Sequence, residues 1–292
     1  MRKMVLSLMS VATLALAGCN APNSSSQSDS GAPASANSTA AAAPVVNEVS
    51  GTISLRAGSP QPSATATLVL NLVDVSSTAA GSAPLASSTS PAGSFPQPFK
   101  LTFNPAEVKP NDLYVIQAIL TDGDRHYTMP IQAPVLAKGS KNDGVAIELV
   151  AQQTAAEKIL ADFKAVQEQL GGMKVSHGTK LETDASRGWQ VFRQAGQVQF
   201  IRELTDYGKK GFTSTDYAYR NGKPWAIVQQ TKSSRDAKPS AIDRAGWSED
   251  GSLVLKQHQV GEDVQVLDTD AAAKLKQQAT EILDLATGGK NK

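Results

Sequence analysis

The amino-acid sequence predicts an antiparallel β sandwich over residues 47–150, followed by an α+β domain over residues 151–292. Two observations predict the sandwich: short stretches in which apolar and polar residues alternate, and clusters of turn-forming residues between them. A third observation predicts the change of fold class, because amphipathic helical stretches occur only in the second domain.

Alternation identifies the strands of the sandwich. Residues 49–55 alternate with period two, as a half-buried strand does. The dipeptide Asp122-Gly123 predicts a tight hairpin, and the Ser/Ala-rich residues 78–93 are interpreted as a loop. About six or seven short strands with no helical period indicate an antiparallel sandwich. The remaining strands are expected at residues 65–75, 99–103, 113–120, 125–129 and 145–150.

Helices are expected at both ends of the second domain. Thr154 and Glu157 form a capping box that predicts the start of the first helix. Asp268 or Thr269 is expected to cap the second. The simplest arrangement is an antiparallel meander with both helices across one face. Its strands are expected at residues 188–193, 198–204, 213–220, 224–232 and 253–260.

The amino terminus predicts a lipoprotein signal peptide over residues 1–18. Arg2 and Lys3 precede an apolar run that is shorter than the roughly 20 residues a membrane span needs. The run ends in Leu16-Ala17-Gly18-Cys19, which resembles the lipobox of bacterial lipoproteins. The resemblance implies cleavage between Gly18 and Cys19, a diacylglycerol thioether on the cysteine, and an N-linked palmitate. The alternative is an ordinary secretory signal with an incidental cysteine.

Residues 19–46 combine this cysteine with a segment of Ser, Ala, Asn and Pro. Such a segment cannot bury enough apolar surface to offset its ordering entropy, so it is expected to be a disordered tether. Two or more acyl chains on Cys19 would hold the protein stably on a membrane. Asn20 stands where Asp signals inner-membrane retention in enteric bacteria. By that analogy the expected location is the outer membrane, with the folded part in the periplasm.

Composition excludes several classes of function. Cys19 is the only cysteine, so the folded domains contain no disulfide. The formal net charge of +1 argues against nucleic acid as a partner. The sequence shows neither a nucleophile elbow nor a phosphate-binding loop. The three histidines, His126, His177 and His258, lie in separate segments without metal-ligand spacing. We therefore expect no enzymatic activity, no cofactor and no metal.

Three segments of the first domain resemble the YbaY family of bacterial lipoproteins. They are Val49-Ser50-Gly51-Thr52, the strand from Val69 to Ser76, and the run from Pro98 to Pro105. That family is grouped with YscW, a lipoprotein that pilots a secretin ring to the outer membrane. The resemblance covers about residues 47–150 and implies a sandwich of the immunoglobulin or transthyretin type without enzymatic activity. It also implies a pilotin-like role, in which the protein binds or chaperones a secretin or another envelope component.

The second domain resembles no family, but it concentrates aromatic residues. Trp189, Trp225, Trp247 and Tyr219 would form a binding face for a glycan or a protein if they were exposed. The alternative is that the tryptophans are core residues; Trp225, which shares a strand face with Ile227, is interpreted in this way. The polar residues expected on the uncovered face are Gln190, Gln197, Gln199, Arg202, Asp216, Tyr219, Gln229, Lys232, Lys256 and His258.

Two other functions therefore stay open beside the chaperone hypothesis. A cell-wall glycan-binding protein, or an inhibitor or enzyme acting on peptidoglycan, would use the aromatic sheet of the second domain. A structural spacer in the envelope would have no concave site in either domain.

Overall fold

The computed structural model describes residues 47–76 and 83–289, which belong to one compact unit. The predicted signal peptide, Cys19 and the tether lie outside the described residues. The described strands divide between two sheets that share no strand, and two α-helices accompany the second sheet. The prediction of a β-rich fold with few helices is therefore confirmed.

The first sheet has one core, because strands from all parts of the sheet contribute to it. Ile53, Leu72, Ile116 and Ile147 are almost fully buried there, and each such side chain stabilises the fold by about 1.5–3 kcal/mol. The strands are β1 (Glu48–Leu55), β2 (Thr67–Asp74), β3 (Ala86–Pro91), β4 (Gln97–Thr102), β5 (Tyr114–Asp122), β6 (Arg125–Thr128), β7 (Ala133–Val135) and β8 (Val145–Ala151).

This sheet curls nearly into a barrel. The order across it is β3-β2-β5-β6-β8-β1-β4, and β7 pairs with β5. The outermost strands of this order, β3 and β4, follow each other directly in the chain, which brings the two edges together. The strand β3 lies within the predicted loop 78–93, because its Ser-rich sequence lacks the large apolar residues that mark a buried strand.

The parallel pair of β1 with β8 joins β1 and β4 to the rest of the sheet, and it departs from the predicted antiparallel arrangement. Gly51 faces Val145 in this pair. A Cβ atom on Gly51 would lie 1.9 Å from the Val145 carbonyl oxygen and 2.8 Å from a ring carbon of Phe99. Glycine is therefore required in the Val-Ser-Gly-Thr segment, since any side chain would collide with the neighbouring backbone.

The second sheet is an antiparallel meander in which each strand pairs with the next strand in the sequence. Its hairpin at Asn221-Gly222 has both residues at positive φ, 52° and 72°, as a two-residue turn requires. The strands are β9 (Lys174–Leu181), β10 (Ser186–Gln194), β11 (Gln197–Asp206), β12 (Phe212–Arg220), β13 (Lys223–Lys232), β14 (Ala241–Trp247), β15 (Leu253–Val260) and β16 (Asp263–Val266).

The two helices, α1 (Ala155–Gln169) and α2 (Thr269–Thr287), begin where the sequence predicts. The Thr154 hydroxyl accepts a hydrogen bond from the Glu157 amide at 3.2 Å, and the Glu157 carboxylate accepts one from the Thr154 amide at 3.0 Å. The Asp268 carboxylate caps α2 by accepting from the two amides that follow Thr269. Both caps satisfy amides that have no partner within the helix.

The prediction that both helices cover one face is wrong. Phe163 of α1 packs in a cluster with Phe200, whereas Leu275 of α2 packs in a cluster with Ile201. Neighbouring residues on a strand point to opposite faces, so α1 and α2 lie on opposite faces of the second sheet. Gly246 faces α1, and a Cβ atom on it would lie 2.5 Å from the Ile159 side chain.

Candidate interaction site

An open groove with a volume of about 600 Å³ lies beside β8 on the first sheet. Volumes of this size are typical of ligand-binding pockets. One wall is formed by residues 130–134, in the connection after β6 and the start of β7, and the other by residues within the range 140–148, which lead into β8 and form its first part. The groove was not predicted from the sequence.

The groove exists because the pairing of β6 with β8 stops early. Thr128 is opposite Val150, and an extension of that antiparallel register would place Pro130 opposite Glu148. Proline has no amide hydrogen to donate, so the ladder ends there. The chain then leaves β8 and returns to the sheet as β7, which pairs with β5 instead. From Val145 to Glu148, this side of β8 thus pairs with no described strand.

The uncovered side of β8 presents backbone hydrogen-bonding groups to the groove. On its other side, the Leu149 carbonyl accepts from the Arg56 amide at 2.9 Å, and the Ile147 carbonyl accepts from the Ser54 hydroxyl at 3.2 Å. Alternate residues of a strand bond to opposite neighbours, so Ala146 and Glu148 direct their amide and carbonyl groups towards the groove. Both residues line it.

The side chains around the groove supply an apolar wall and one available charge. Ile131 is 78% exposed at the rim, next to Pro130 and Pro134. The carboxylate of Glu148 is paired with Arg56 at 2.7 Å. Lys141 also lines the groove and makes no ion pair with the described residues. The groove therefore combines an exposed apolar surface, a cation and a free strand edge.

A second polar feature is a buried network on the α2 face of the second sheet. The Glu203 side chain is 5% exposed; it accepts from Arg187 at 2.6 Å and from the Tyr217 hydroxyl at 2.8 Å. Burial raises the pKa of Tyr217, and the Glu203 carboxylate raises it further, so the phenol stays a neutral donor. On the same face, the side-chain amide of Gln229 on β13 donates to the hydroxyl of Thr215 on β12 at 3.0 Å. This network satisfies its own members and presents no open site.

The α1 face carries a separate polar network. Asp216 accepts two hydrogen bonds from the Arg202 guanidinium, at 2.8 and 2.9 Å, and a third from Gln167 of α1 at 2.9 Å. The hydrogen bond to Asp216 raises the pKa of Arg202. The polar residues expected on one uncovered face are therefore divided between two faces, because Arg202 and Gln229 belong to opposite sides of the sheet.

The predicted aromatic binding face does not exist as an exposed surface. Trp225, Trp247 and Tyr219 are 8%, 7% and 1% exposed. Trp225 packs edge-on against Phe163 of α1, and the Tyr219 hydroxyl donates to the Ala279 carbonyl of α2 at 2.7 Å. The prediction of an exposed face is wrong for Trp247 and Tyr219, and the interpretation of Trp225 as a core residue is confirmed, because a helix covers the face on which each of them lies.

Trp189 is partly buried and lies over the neighbouring strand β9. A Cβ atom on Gly178 would lie 2.4 Å from the indole ring, so the ring rests on the backbone of that glycine. It packs against the same apolar cluster as Ile201. Trp189 thus has one side against the sheet edge and does not share an open face with the other tryptophans.

The histidines lie on three different strand pairs. The His126 Nδ1 atom is 3.4 Å from the Thr121 hydroxyl, the His177 Nε2 atom is 3.3 Å from the Gln190 amide, and the His258 Nδ1 atom is 2.5 Å from an oxygen of Asp243. No group of three potential metal-ligating side chains occurs within residues 47–76 and 83–289. Neither helix of this part of the chain has the length and hydropathy of a membrane span.

Comparison with known proteins finds two family models on the chain. Residues 44–149 match the model described as "Type III secretion system lipoprotein chaperone (YscW)", which confirms the resemblance of this part of the chain to YscW. Residues 176–290 match "Protein of unknown function (DUF1481)".

Among solved structures, the chain is similar to an alternative pilotin from the type II secretion system of Vibrio cholerae. The two share 17% sequence identity with a TM-score of 0.33, over 36% of this chain and 96% of the pilotin chain. The comparison with curated proteins gives no match.

Proposed function

We propose that this protein is a non-enzymatic lipoprotein of the bacterial cell envelope that binds or chaperones another envelope protein. The observation that carries the proposal is the match of residues 44–149 with the YscW lipoprotein chaperone model. The groove beside β8 lies within these residues and is the contact site that we assign to the partner. A pilotin-like role, with a secretin as partner and a sandwich of the immunoglobulin or transthyretin type, is the finer form of the proposal.

Lipidation at Cys19 anchors the protein in this proposal. The lipobox predicts a diacylglycerol and a palmitate on that residue, and two or more acyl chains are needed because a single chain gives only reversible binding. Asn20 favours the outer membrane, with the folded part facing the periplasm. The anchor would hold the protein at the membrane in which a secretin assembles.

The glycan-binding alternative receives no support from the geometry. It required exposed aromatic side chains on the second sheet, and Trp225, Trp247 and Tyr219 are core residues. The groove supports a protein partner better, since it offers main-chain groups and aliphatic surface rather than an aromatic platform.

The test is capture from envelopes solubilised in detergent, with the full-length protein tagged at its carboxy terminus and expressed at native level. We expect a specific envelope protein to be recovered with the wild type and lost with Ile131→Asp, which places a charge on the apolar rim. Leu113→Asp is the matched control, because Leu113 is 45% exposed and lies outside the groove. Recovery of no envelope protein by the wild type would contradict the proposal.

The anchor is tested separately by metabolic labelling with palmitate. Wild-type protein should be labelled and sediment with membranes, whereas Cys19→Ser should be unlabelled and released from them. A labelled, membrane-bound Cys19→Ser protein would show that the lipobox assignment is wrong.

A further inference from the structure

We infer that the groove binds an extended segment of the partner protein, which adds to the free edge of β8 as an antiparallel strand. This inference rests on the proposed function for the existence of a protein partner. It adds the conformation in which the partner is bound and the chemistry of the bound segment.

The first argument is the unpaired backbone of β8. Ala146 and Glu148 direct two amides and two carbonyls towards the groove, and no described strand pairs with them there. An extended peptide has main-chain groups free to satisfy all four. A helix uses its own amides and carbonyls internally and would leave those of β8 unpaired.

The second argument concerns direction. The strand β6 runs antiparallel to β8 and pairs with it at Tyr127 and Thr128. Pro130 ends this pairing, so the site beside Ala146 and Glu148 is the place that a longer β6 would occupy. A peptide in that place continues the antiparallel ladder, in which alternate residues form the hydrogen-bonded pairs.

The third argument concerns the side chains of the bound segment. Ile131 offers exposed aliphatic surface on the wall opposite β8, which favours β-branched or other aliphatic residues in the segment. Lys141 lies on the rim without a carboxylate partner among the described residues. The segment is therefore an aliphatic strand that carries an acidic residue, and its charge complements the lysine.

The probe is a library of acetylated nine-residue peptides composed of Val, Ile, Thr, Ser, Asp, Glu and Lys, screened against the full-length lipoprotein in detergent. We expect the selected peptides to be aliphatic and acidic. The tightest peptide is then resynthesised with one N-methyl group at each position in turn. Methylation of alternate amides should weaken binding about tenfold or more, because it removes a hydrogen bond to β8, and methylation between them should have much less effect.

Two pairs of variants locate the site. Ala146→Pro removes an amide of the free edge but none of the hydrogen bonds with β1, so it should weaken peptide binding about tenfold while Ala146→Val, which keeps the amide, retains binding. Lys141→Glu should weaken binding of the acidic peptides, whereas Lys138→Glu makes the same charge change in the same loop outside the groove. If Ala146→Pro does not fold, the N-methyl series gives the same information on wild-type protein.

Three outcomes would overturn the inference. The first is that no peptide binds the wild type more tightly than it binds Ile131→Asp, and the second is that peptide affinity does not alternate along the N-methyl series. The third is that Lys141→Glu and Lys138→Glu weaken peptide binding equally. Any of these, together with Ile131-dependent capture of an envelope protein, leaves the proposed function intact and shows that the partner is not bound as a strand. Alternating peptide binding without capture of any envelope protein would instead support the strand site and contradict the chaperone function.

Discussion

The two sheets of this protein bury their apolar side chains in different ways. The first sheet curls until its outer strands β3 and β4 approach each other, so it covers its own apolar face. The second sheet stays open and needs α1 on one face and α2 on the other. The two sheets therefore differ in where their free backbone edges lie. In the first sheet, part of β8 has a free edge inside a groove, in addition to the outer strands β3 and β4. In the second sheet, the free edges lie along the outer strands β9 and β16.

The two kinds of edge also differ in chemistry. The outer strand β9 carries Lys174 and Lys180 and is exposed almost throughout. Charged residues on an edge discourage pairing with other chains. The edge of β8 instead faces aliphatic and proline residues, and its one carboxylate, Glu148, is already paired with Arg56. The edge at β9 is therefore protected against pairing with other chains, whereas the free edge of β8 is suited to such pairing.

Because the two sheets have separate cores, we expect each to unfold with a partly independent free energy of unfolding. All three tryptophans belong to the second sheet, so their fluorescence reports that sheet alone. Far-UV circular dichroism reports both sheets. Variants in one sheet should therefore separate the urea transitions that the two probes measure.

The largest loss of stability is expected for Phe163→Ala, which removes contacts between α1 and the second sheet. Phe163 is 5% exposed and contacts the rings of Phe200 and Trp225. Loss of this side chain should lower the free energy of unfolding by about 4 kcal/mol. The fluorescence midpoint should fall further than the circular dichroism midpoint. Lys164→Ala, an exposed neighbour on α1, serves as the control.

The next largest loss of stability is expected for Gly51→Ala, which opposes the pairing of β1 with β8 in the first sheet. The added methyl group would collide with the Val145 carbonyl, so the free energy of unfolding should fall by about 3 kcal/mol. Here the circular dichroism midpoint should fall while the fluorescence midpoint stays near its wild-type value. Thr52→Ala, at an exposed position of β1, is the control. If both probes shift together in both variants, the sheets unfold as one unit.

The smallest effect is expected for Glu157→Gln, at the ion pair between Arg125 of the first sheet and α1. The hydrogen bond from Arg125 lowers the pKa of Glu157 below its ordinary value near 4.5. The ion pair therefore stabilises the fold above about pH 4.5, and this contribution is lost as the pH falls through the lowered pKa of the folded state. Glutamine keeps the capping bond to Thr154 but not the charge.

Solvent limits the size of this effect, because the Glu157 side chain is 41% exposed. The variant should lose less than about 1 kcal/mol at pH 7 and nothing at low pH. Urea unfolding at a series of pH values measures the difference, with Glu168→Gln on the exposed part of α1 as the control. A loss that is equal at pH 7 and pH 3 would mean that the ion pair does not contribute.

The sequence predicted those elements whose signals are local. The capping box at Thr154 and Glu157 located α1, and Asp122-Gly123 located the hairpin between β5 and β6. The strands β3, β7, β9, β14 and β16 were missed. The first is rich in Ser, β7 has only three residues, and β9 and β16 are largely exposed edge strands. In β14 the charged pair Asp243-Arg244 interrupts the apolar residues, so none of the five has the clear alternation that marks a half-buried strand.

The sequence of the second sheet carries a signal that both of its faces are buried. Val191-Phe192 and Phe200-Ile201 place apolar residues next to each other within strands, which indicates a sheet covered on both sides. The aromatic binding face was therefore assigned to a surface that α1 and α2 occupy. The groove gave only a weak local signal, the two prolines Pro130 and Pro134 beside a strand.

By itself, the sequence determined the lipoprotein signature at Cys19, both helices and most of the strands, and the resemblance of the first part of the chain to YscW. These properties depend on neighbouring residues or on short motifs. Only the tertiary structure decided that β1 meets β8, that the helices take opposite faces, and that Ala146 and Glu148 keep a free edge. These features depend on which distant segments pair with each other. Pro130 leaves part of the β8 edge unpaired only because the tertiary structure places β6 beside β8.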